Sequence, residues 1–150
     1  MALYYLDTSA LVKLYVREPG TERLLGLTDR PDDNRLAILV LAQLELRSAI
    51  RRREKNGELS AALAAQLLGL FTRHVEGRFL TQPVTGFVLD IAAALVDRYA
   101  LRAYDAAQLA GYLALKNSSG AGVPVFVCSD QELLSAAVQE GAPTLDPTSY

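Results

Sequence analysis

The stretch Leu3-Tyr4-Tyr5-Leu6-Asp7-Thr8-Ser9 places an acid and two hydroxyl residues directly after a short apolar run. The apolar run predicts a buried strand, and Thr8 or Ser9 can cap a helix that continues to about Val16. A strand followed at once by a helix favours an α/β fold, provided that the same order is repeated further along the chain.

The order is repeated along the whole chain. The hydrophobic pattern predicts strands at residues 3–6, 36–41, 79–83, 123–128 and 144–145. It predicts helices at residues 8–16, 18–28, 42–55, 60–75, 85–99, 103–116 and 131–140, with Pro19 in the first turn of the second helix and a turn at 30–34 after it. We therefore expect one domain over residues 1–150, with a three-layer α/β/α fold and a mostly parallel central sheet.

Composition excludes several classes of protein. The chain has 150 residues, of which 51% are hydrophobic and 21% charged, as in globular proteins. A single cysteine, Cys128, rules out an intrachain disulfide, and a single histidine, His74, is expected at a solvated helix end. The longest apolar stretch is too short to span a bilayer and the start lacks a basic signal region, so we expect a cytoplasmic protein without membrane contact.

Four acids are expected to meet at one edge of the sheet. Asp7 and Asp130 each follow a predicted strand, and Glu45 lies in the first turn after the second strand. Asp105 lies near the start of the helix that leads into the fourth strand, and such a helix runs antiparallel to its strand. Ligands of open α/β sheets bind at the carboxyl ends of the strands, so all four residues are candidates for one site.

Converging carboxylates predict a bound cation. They repel one another unless positive charge compensates them. Ligand sets made only of oxygen suit Mg²⁺ or Mn²⁺, which can activate water and offset charge on a phosphodiester. Most of these acids also have a purely structural interpretation. Asp7 and Asp130 are placed where they could serve simply as helix N-caps, and Asp105 where it could serve simply as a first-turn acid facing the helix dipole.

The chain resembles the PIN domains, and among them the VapC-like toxins of bacterial and archaeal toxin–antitoxin pairs. The stretches that carry the resemblance are Tyr5 to Tyr15 with Glu18-Pro19-Gly20, Leu44-Glu45-Leu46 with Ser48-Ala49, Leu101 to Ala110, and Val127-Cys128-Ser129-Asp130 with Ala136-Ala137. Members of the family often carry histidine near the position of Gln108 and threonine near that of Cys128, so these two positions depart from the pattern.

The resemblance implies a Mg²⁺- or Mn²⁺-dependent endoribonuclease. It implies that the protein forms a homodimer and is held inactive by a cognate antitoxin. The acidic quartet of the family matches Asp7, Glu45, Asp105 and Asp130, and its supporting hydroxyl positions match Thr8, Ser9 and Ser129.

Basic residues after Glu45 are candidates for binding RNA phosphates, namely Arg47, Arg51, Arg52 and Arg53. A solvated basic helix end is the alternative interpretation. The net charge of −2 does not exclude RNA: of the 17 acidic residues, four belong to the expected metal site, which leaves 13 against 15 basic ones. A further stripe, formed by Leu63, Leu67, Leu70 and Phe71, suits either the core or a groove for the antitoxin.

Two other functions remain open at this point. The first is a PIN fold that has lost cleavage and serves only as an interaction module. The second is an acid-cluster phosphotransferase or phosphatase, but aspartyl phosphatases place a second Asp two residues after the first, where this chain has Ser9.

Overall fold

A parallel sheet forms the centre of the computed structural model, which describes residues 2–30, 32–120 and 122–149. Within these residues five strands pair in the order β3-β2-β1-β4-β5, and every pair is parallel. The strands are β1 (Ala2–Leu6), β2 (Asn34–Leu39), β3 (Phe79–Gln82), β4 (Val125–Val127) and β5 (Thr144–Leu145). The all-parallel arrangement confirms the expected α/β class.

Helices cover both faces of this sheet. They are α1 (Thr8–Leu11), α2 (Thr21–Thr28), α3 (Ala42–Lys55), α4 (Ala61–Gly77), α5 (Gly86–Tyr99), α6 (Ala103–Ser118) and α7 (Gln131–Gln139). Among the helices of the described residues, none is long and apolar enough to cross a membrane.

Strand residues alternate between two hydrophobic cores, as the two-residue period of a strand requires. Tyr5 and Phe126 pack in one core with residues of α5, α6 and α7. Leu6 and Val127, the next residue of each strand, pack in the other core with residues of α1 to α4. The three-layer arrangement follows from this alternation.

The first helix is shorter than the sequence predicts. It ends at Leu11 and continues as a 3₁₀ turn, Val12–Leu14, in which the amide of Tyr15 donates to the carbonyl of Val12 at 3.0 Å. The cap is also different: the side chain of Asp7, rather than Thr8 or Ser9, accepts from the amide of Ala10. The predicted capping residue was therefore wrong by one or two positions.

Two other boundaries shift for identifiable reasons. Helix α2 begins at Thr21 rather than at residue 18, because Gly20 precedes it in the left-handed conformation at φ 96° and so leaves Pro19 outside the helix. Strand β4 begins at Val125 rather than at residue 123, because Pro124 lacks an amide and its carbonyl accepts from Tyr112 at 2.6 Å. Pro31 of the predicted turn, and Ala121 of the loop before β4, lie outside the described residues.

Candidate active site

Two neighbouring strands end side by side and carry the first candidate acids. Leu6 of β1 is in register with Val127 of β4, so the residues that follow them meet at the carboxyl edge of the sheet. The amide of Asp7 donates to the carbonyl of Val127 at 3.1 Å. Asp130 lies three residues beyond β4 and caps α7, where its Oδ1 accepts from the amide of Leu133 at 3.0 Å.

Asp7 is almost completely enclosed, with 4% of its surface exposed. Its Oδ1 accepts from the Ser9 hydroxyl at 2.7 Å and from the amide of Ala10 at 2.9 Å, and its Oδ2 accepts from the thiol of Cys128 at 3.1 Å. Burial raises the pKa of Asp7 to about 6, because desolvation and the negative charge of Asp105 outweigh these three hydrogen bonds. The structure therefore makes Asp7 both the helix cap and an electrostatically costly acid.

Asp105 lies within the field of several other carboxylates. It is half-buried in the first turn of α6. Burial raises its pKa, and the charges of Asp130, Glu132 and Glu45 raise the pKa further, while Arg102 opposes them. Asp105 therefore connects the four acids singled out in the sequence, because the charges of Glu45 and Asp130 act on it and its own charge acts on Asp7.

Glu132 is an acid that the sequence analysis missed. It is exposed in the first turn of α7, two residues after Asp130, and its charge acts on Asp105. The available signal was its place in the first turn of a helix beginning at the expected edge.

The donor set has the chemistry of a hard-cation site but does not form a closed ligand shell. Among the described residues, no group of three or more His, Cys, Asp or Glu side chains lies close enough together to hold a metal ion. Hydrogen bonds already occupy both oxygens of Asp7 and one oxygen of Asp130. Even so, the acids offer only oxygen ligands, and the negative charges of neighbouring acids raise the pKa values of Asp7 and Asp105. Both properties suit residues that share a divalent cation.

A polar network supports this edge from α6. The Gln108 amide donates to the Tyr104 hydroxyl at 2.7 Å and to the Thr8 hydroxyl at 3.2 Å, while the hydroxyls of Tyr104 and Thr8 are 2.8 Å apart. The Tyr5 hydroxyl donates to the Gln108 carbonyl at 2.8 Å. Burial raises the pKa of Tyr104 to about 12, so its hydroxyl retains the proton that it shares with Thr8.

Ser9 and Cys128 hold Asp7 from the β4 side. The Ser9 hydroxyl donates to Asp7 and accepts from the backbone amide of Ser129 at 2.9 Å. The Ser129 hydroxyl is buried and makes no hydrogen bond within the described residues, although it is one of the groups that lower the pKa of Asp146. Burial raises the pKa of the Cys128 thiol well above its ordinary value, so the buried Cys128 remains a protonated donor to Asp7.

Two of the four candidate arginines already have carboxylate partners. Arg53 pairs with Glu18 at 2.7 Å, and Arg51 pairs with Glu54 at 2.6 Å. Arg47 and Arg52 are exposed and form no ion pair with any carboxylate that the structure describes. These two side chains are therefore the ones available to an anionic ligand.

A family model for the PIN domain matches residues 4–116. The chain belongs to the PIN domain family. The matched residues include Asp7, Glu45 and Asp105, whereas Asp130 lies beyond them. No curated protein matches the chain at a significant level.

Solved structures share the PIN fold over nearly the whole chain. The crystal structure of PAE2754 from Pyrobaculum aerophilum is 27% identical, with a TM-score of 0.61, and the match covers 96% of this chain and 92% of that one. VapBC2 from Rickettsia felis, bound to a DNA fragment from its promoter, is 13% identical with a TM-score of 0.65, and the match covers 95% and 97%. VapBC-1 from nontypeable Haemophilus influenzae is 16% identical with a TM-score of 0.63, and the match covers 98% and 99%. The expected resemblance to PIN domains is confirmed.

Proposed function

We propose that this PIN domain is a Mg²⁺- or Mn²⁺-dependent endoribonuclease that hydrolyses RNA phosphodiester bonds as the toxin of a toxin–antitoxin pair. The observation that carries the proposal is the position of Asp105 in the combined field of Asp130, Glu132 and Glu45, next to the buried Asp7. PIN domains are generally nucleases, and a cluster of carboxylates at the carboxyl edge of a parallel sheet suits that chemistry.

Asp7, Glu45, Asp105 and Asp130 are the residues that would hold the cation, with Glu132 beside them. A divalent cation bound there would supply an activated water and offset charge on the phosphate. The protein keeps Asp7 in place through Ser9 and the amide of Ala10, and it joins the start of α6 to α1 through Tyr104, Thr8 and Gln108. This network would hold Asp7 and Asp105 in a constant relation to each other.

RNA would approach this edge along α3, where the charges of Arg47 and Arg52 are not compensated by described carboxylates. Arg51 and Arg53 would contribute only after exchanging Glu54 and Glu18 for phosphate. A catalytically silent PIN fold would make no use of such residues beside the acids, and this is the alternative that the activity assay below decides.

An antitoxin would bind in the groove between α3 and α4. This groove has a volume of about 440 Å³ and exposes Leu44, 68% of whose surface is accessible, above Leu68, Phe71 and Val75. Solved relatives of this fold include toxin–antitoxin complexes. Arg47 also lines this groove, so an antitoxin with an apolar face that fills the groove would cover an arginine proposed to bind RNA.

We also propose that the protein is a homodimer, that residues 1–150 form one domain, and that it acts in the cytoplasm. Exposed apolar side chains near the ends of β2 and β3 support self-association, namely Val40, Leu41 and Phe87. One continuous sheet between two cores supports a single domain for the residues described.

Cleavage of single-stranded RNA tests the proposal. Wild-type protein should cleave an RNA panel with Mg²⁺ or Mn²⁺ and should stop when EDTA is added. Asp105→Asn should lower the rate at least about 100-fold, because it removes a charge that positions the reacting groups. Asp97→Asn, an exposed acid on α5, is the matched control and should leave the rate unchanged.

Two outcomes would contradict the proposal. An Asp105→Asn variant as active as wild type would identify the activity as a contaminant. A folded wild type that cleaves no RNA in the panel with either metal would favour the silent interaction module.

A further inference from the structure

Three arginines meet at the amino edge of the sheet, opposite the acids. Arg35 lies at the start of β2, Arg78 immediately precedes β3, and Arg73 lies in the last turns of α4. Together with Asn34, His74 and Gly77 they line an open cavity of about 600 Å³. This lining contains three formal positive charges and no carboxylate, although the chain as a whole carries a net charge of −2.

Like Arg47 and Arg52, these arginines form no ion pair within the part of the chain that the structure describes, whereas five other basic residues do. Lys13, Arg17, Arg51, Arg53 and Arg98 each pair with a glutamate. Arg35, Arg73 and Arg78 form no ion pair with a carboxylate of the described residues, and Arg78 donates instead to the carbonyl of Thr28. Asp32 and Asp33 are nearby in sequence but do not line the cavity. Several arginine side chains without carboxylate partners suit phosphate binding, because each guanidinium group can donate two hydrogen bonds to phosphate oxygens.

His74 connects this basic cavity to an apolar one. It was expected at a solvated helix end, but it is half-buried and its Nδ1 lies 2.7 Å from the Tyr15 hydroxyl. Burial and the charges of Arg78 and Arg73 lower the pKa of His74, so the ring is mainly neutral at pH 7. His74 and Arg78 also line a second cavity of about 260 Å³, whose other walls include Leu14, Leu25, Leu36, Leu70 and Phe79.

We propose that the two adjoining cavities bind one nucleotide, with its phosphate on Arg35, Arg73 and Arg78 and its base against the apolar walls beyond His74. The ligand needs an anionic end and a flat apolar end that are directly linked, because the two cavities share lining residues. Thr28 and Asp29 at the apolar cavity provide oxygen acceptors for the amino groups of a base.

The nucleotide can be free or can be a unit of an RNA chain, and only the second source rests on the proposed function. Strand β2 spans six residues, so its two ends are about 17 Å apart. An RNA that reaches both edges must therefore be several nucleotides long. In that case the site would hold a segment of the substrate away from the bond that is cut.

Binding is measured in EDTA, so that cleavage does not occur. The probes are adenosine monophosphate, adenosine, inorganic phosphate, an oligoglutamate peptide and a twelve-nucleotide single-stranded RNA. The test variant is Arg35→Ala/Arg73→Ala. The control is Arg17→Ala/Arg98→Ala, which removes two charges from exposed ion pairs elsewhere. Melting temperatures are compared to show that each variant is folded.

Wild type should bind adenosine monophosphate more tightly than it binds adenosine or phosphate. The affinity for adenosine monophosphate should fall roughly tenfold in the test variant and should not change in the control. If RNA uses the same site, the slope of log affinity against log salt should become shallower by about 0.7 for each lost phosphate contact. Leu25→Gln should weaken the nucleotide but not inorganic phosphate, because Leu25 lines only the apolar cavity. Weakening of the mononucleotide with unchanged RNA binding would assign the site to a free nucleotide.

Equal nucleotide affinity in the test and control variants would overturn the inference. Phosphate binding as tightly as the nucleotide, or oligoglutamate binding more tightly, would overturn it as well. These measurements do not involve cleavage, so a failure to bind nucleotide would not contradict the nuclease proposal. A protein that binds the nucleotide but cuts no RNA would contradict the nuclease proposal and not this inference.

Discussion

Replacing Asp7 with asparagine should stabilise the metal-free protein at neutral pH. Burial raises the pKa of Asp7 from 3.8 to about 6, so the folded state holds its proton more tightly than the unfolded state does. Between these two pH values the folded protein binds more protons, and its stability therefore falls as pH rises. The destabilisation caused by ionised Asp7 is fully present above about pH 6 and absent below about pH 3.8.

The size of the effect follows from the difference between the two pKa values. Each pKa unit corresponds to 1.36 kcal/mol, so ionised Asp7 costs about 3 kcal/mol. Asparagine resembles the protonated acid: its carbonyl oxygen can still accept from Ser9 and the amide of Ala10, and it caps helices as well as aspartate does. For a chain of this length, about 3 kcal/mol corresponds to a rise in Tm of roughly 6 to 12 °C.

Unfolding in urea and by heat between pH 4 and 8, with EDTA present, measures this difference. The stability of Asp7→Asn should exceed that of wild type most at pH 7 to 8, and the plots of stability against pH for the two proteins should converge towards pH 4. Asp97→Asn is the control and should follow wild type at every pH, because this residue is exposed on α5. Adding Mn²⁺ should raise the Tm of wild type by mass action and raise that of Asp7→Asn less. A variant less stable than wild type at pH 7.5 in EDTA, or a constant difference across the pH range, would refute the electrostatic argument.

Three substitutions that remove or introduce glycine test the packing and the backbone. Gly111→Ala should lower the free energy of unfolding by about 1 to 3 kcal/mol, because its Cβ would lie 2.6 Å from Leu39 Cδ1 and 2.7 Å from the Tyr5 hydroxyl. Gly69→Ala is also within a helix, and its Cβ would meet only Arg73 Nη1 at an ordinary 3.8 Å, so this change should instead raise the free energy of unfolding by up to about 1 kcal/mol. Equal effects at the two positions would contradict the close-contact explanation. Ala100→Gly should raise the midpoint of urea unfolding by relieving the left-handed φ of 54° after α5, so a lowered midpoint would show that this conformation is not strained.

The sequence predicted the elements that rest on local signals. Helix α3 was expected at residues 42–55 and is Ala42–Lys55, since its apolar spacing and the Asn56-Gly57 stop are both local. The five strands and the parallel sheet followed from buried apolar runs alternating with helices. The acids could be placed at one edge for the same reason, because a parallel sheet brings the ends of its strands together whatever the details of packing.

Contacts between distant parts of the chain could not be predicted in this way. The thiol of Cys128 meets Asp7 across 121 positions, and Arg53 meets Glu18 across 35 positions, yet neither pair leaves a periodic pattern in the sequence. The second contact bears on the proposed function, because it occupies Arg53, one of the arginines that the sequence suggested for binding RNA. Sequence spacing indicates which face of an element a residue occupies, but it does not indicate what lies opposite that face.

The sequence by itself determined the class of fold, because apolar periodicity and the order of strands and helices carry that information locally. Its motifs carried the resemblance to the PIN family and named the four acids as candidates. Only the tertiary structure decided that Asp7 is enclosed and has a raised pKa, that Glu132 acts on Asp105, and that Arg35, Arg73 and Arg78 share a cavity. The physical reason is that burial, field and cavity depend on distances between elements, which are set when helices and sheet pack together and not by the preferences of any one segment.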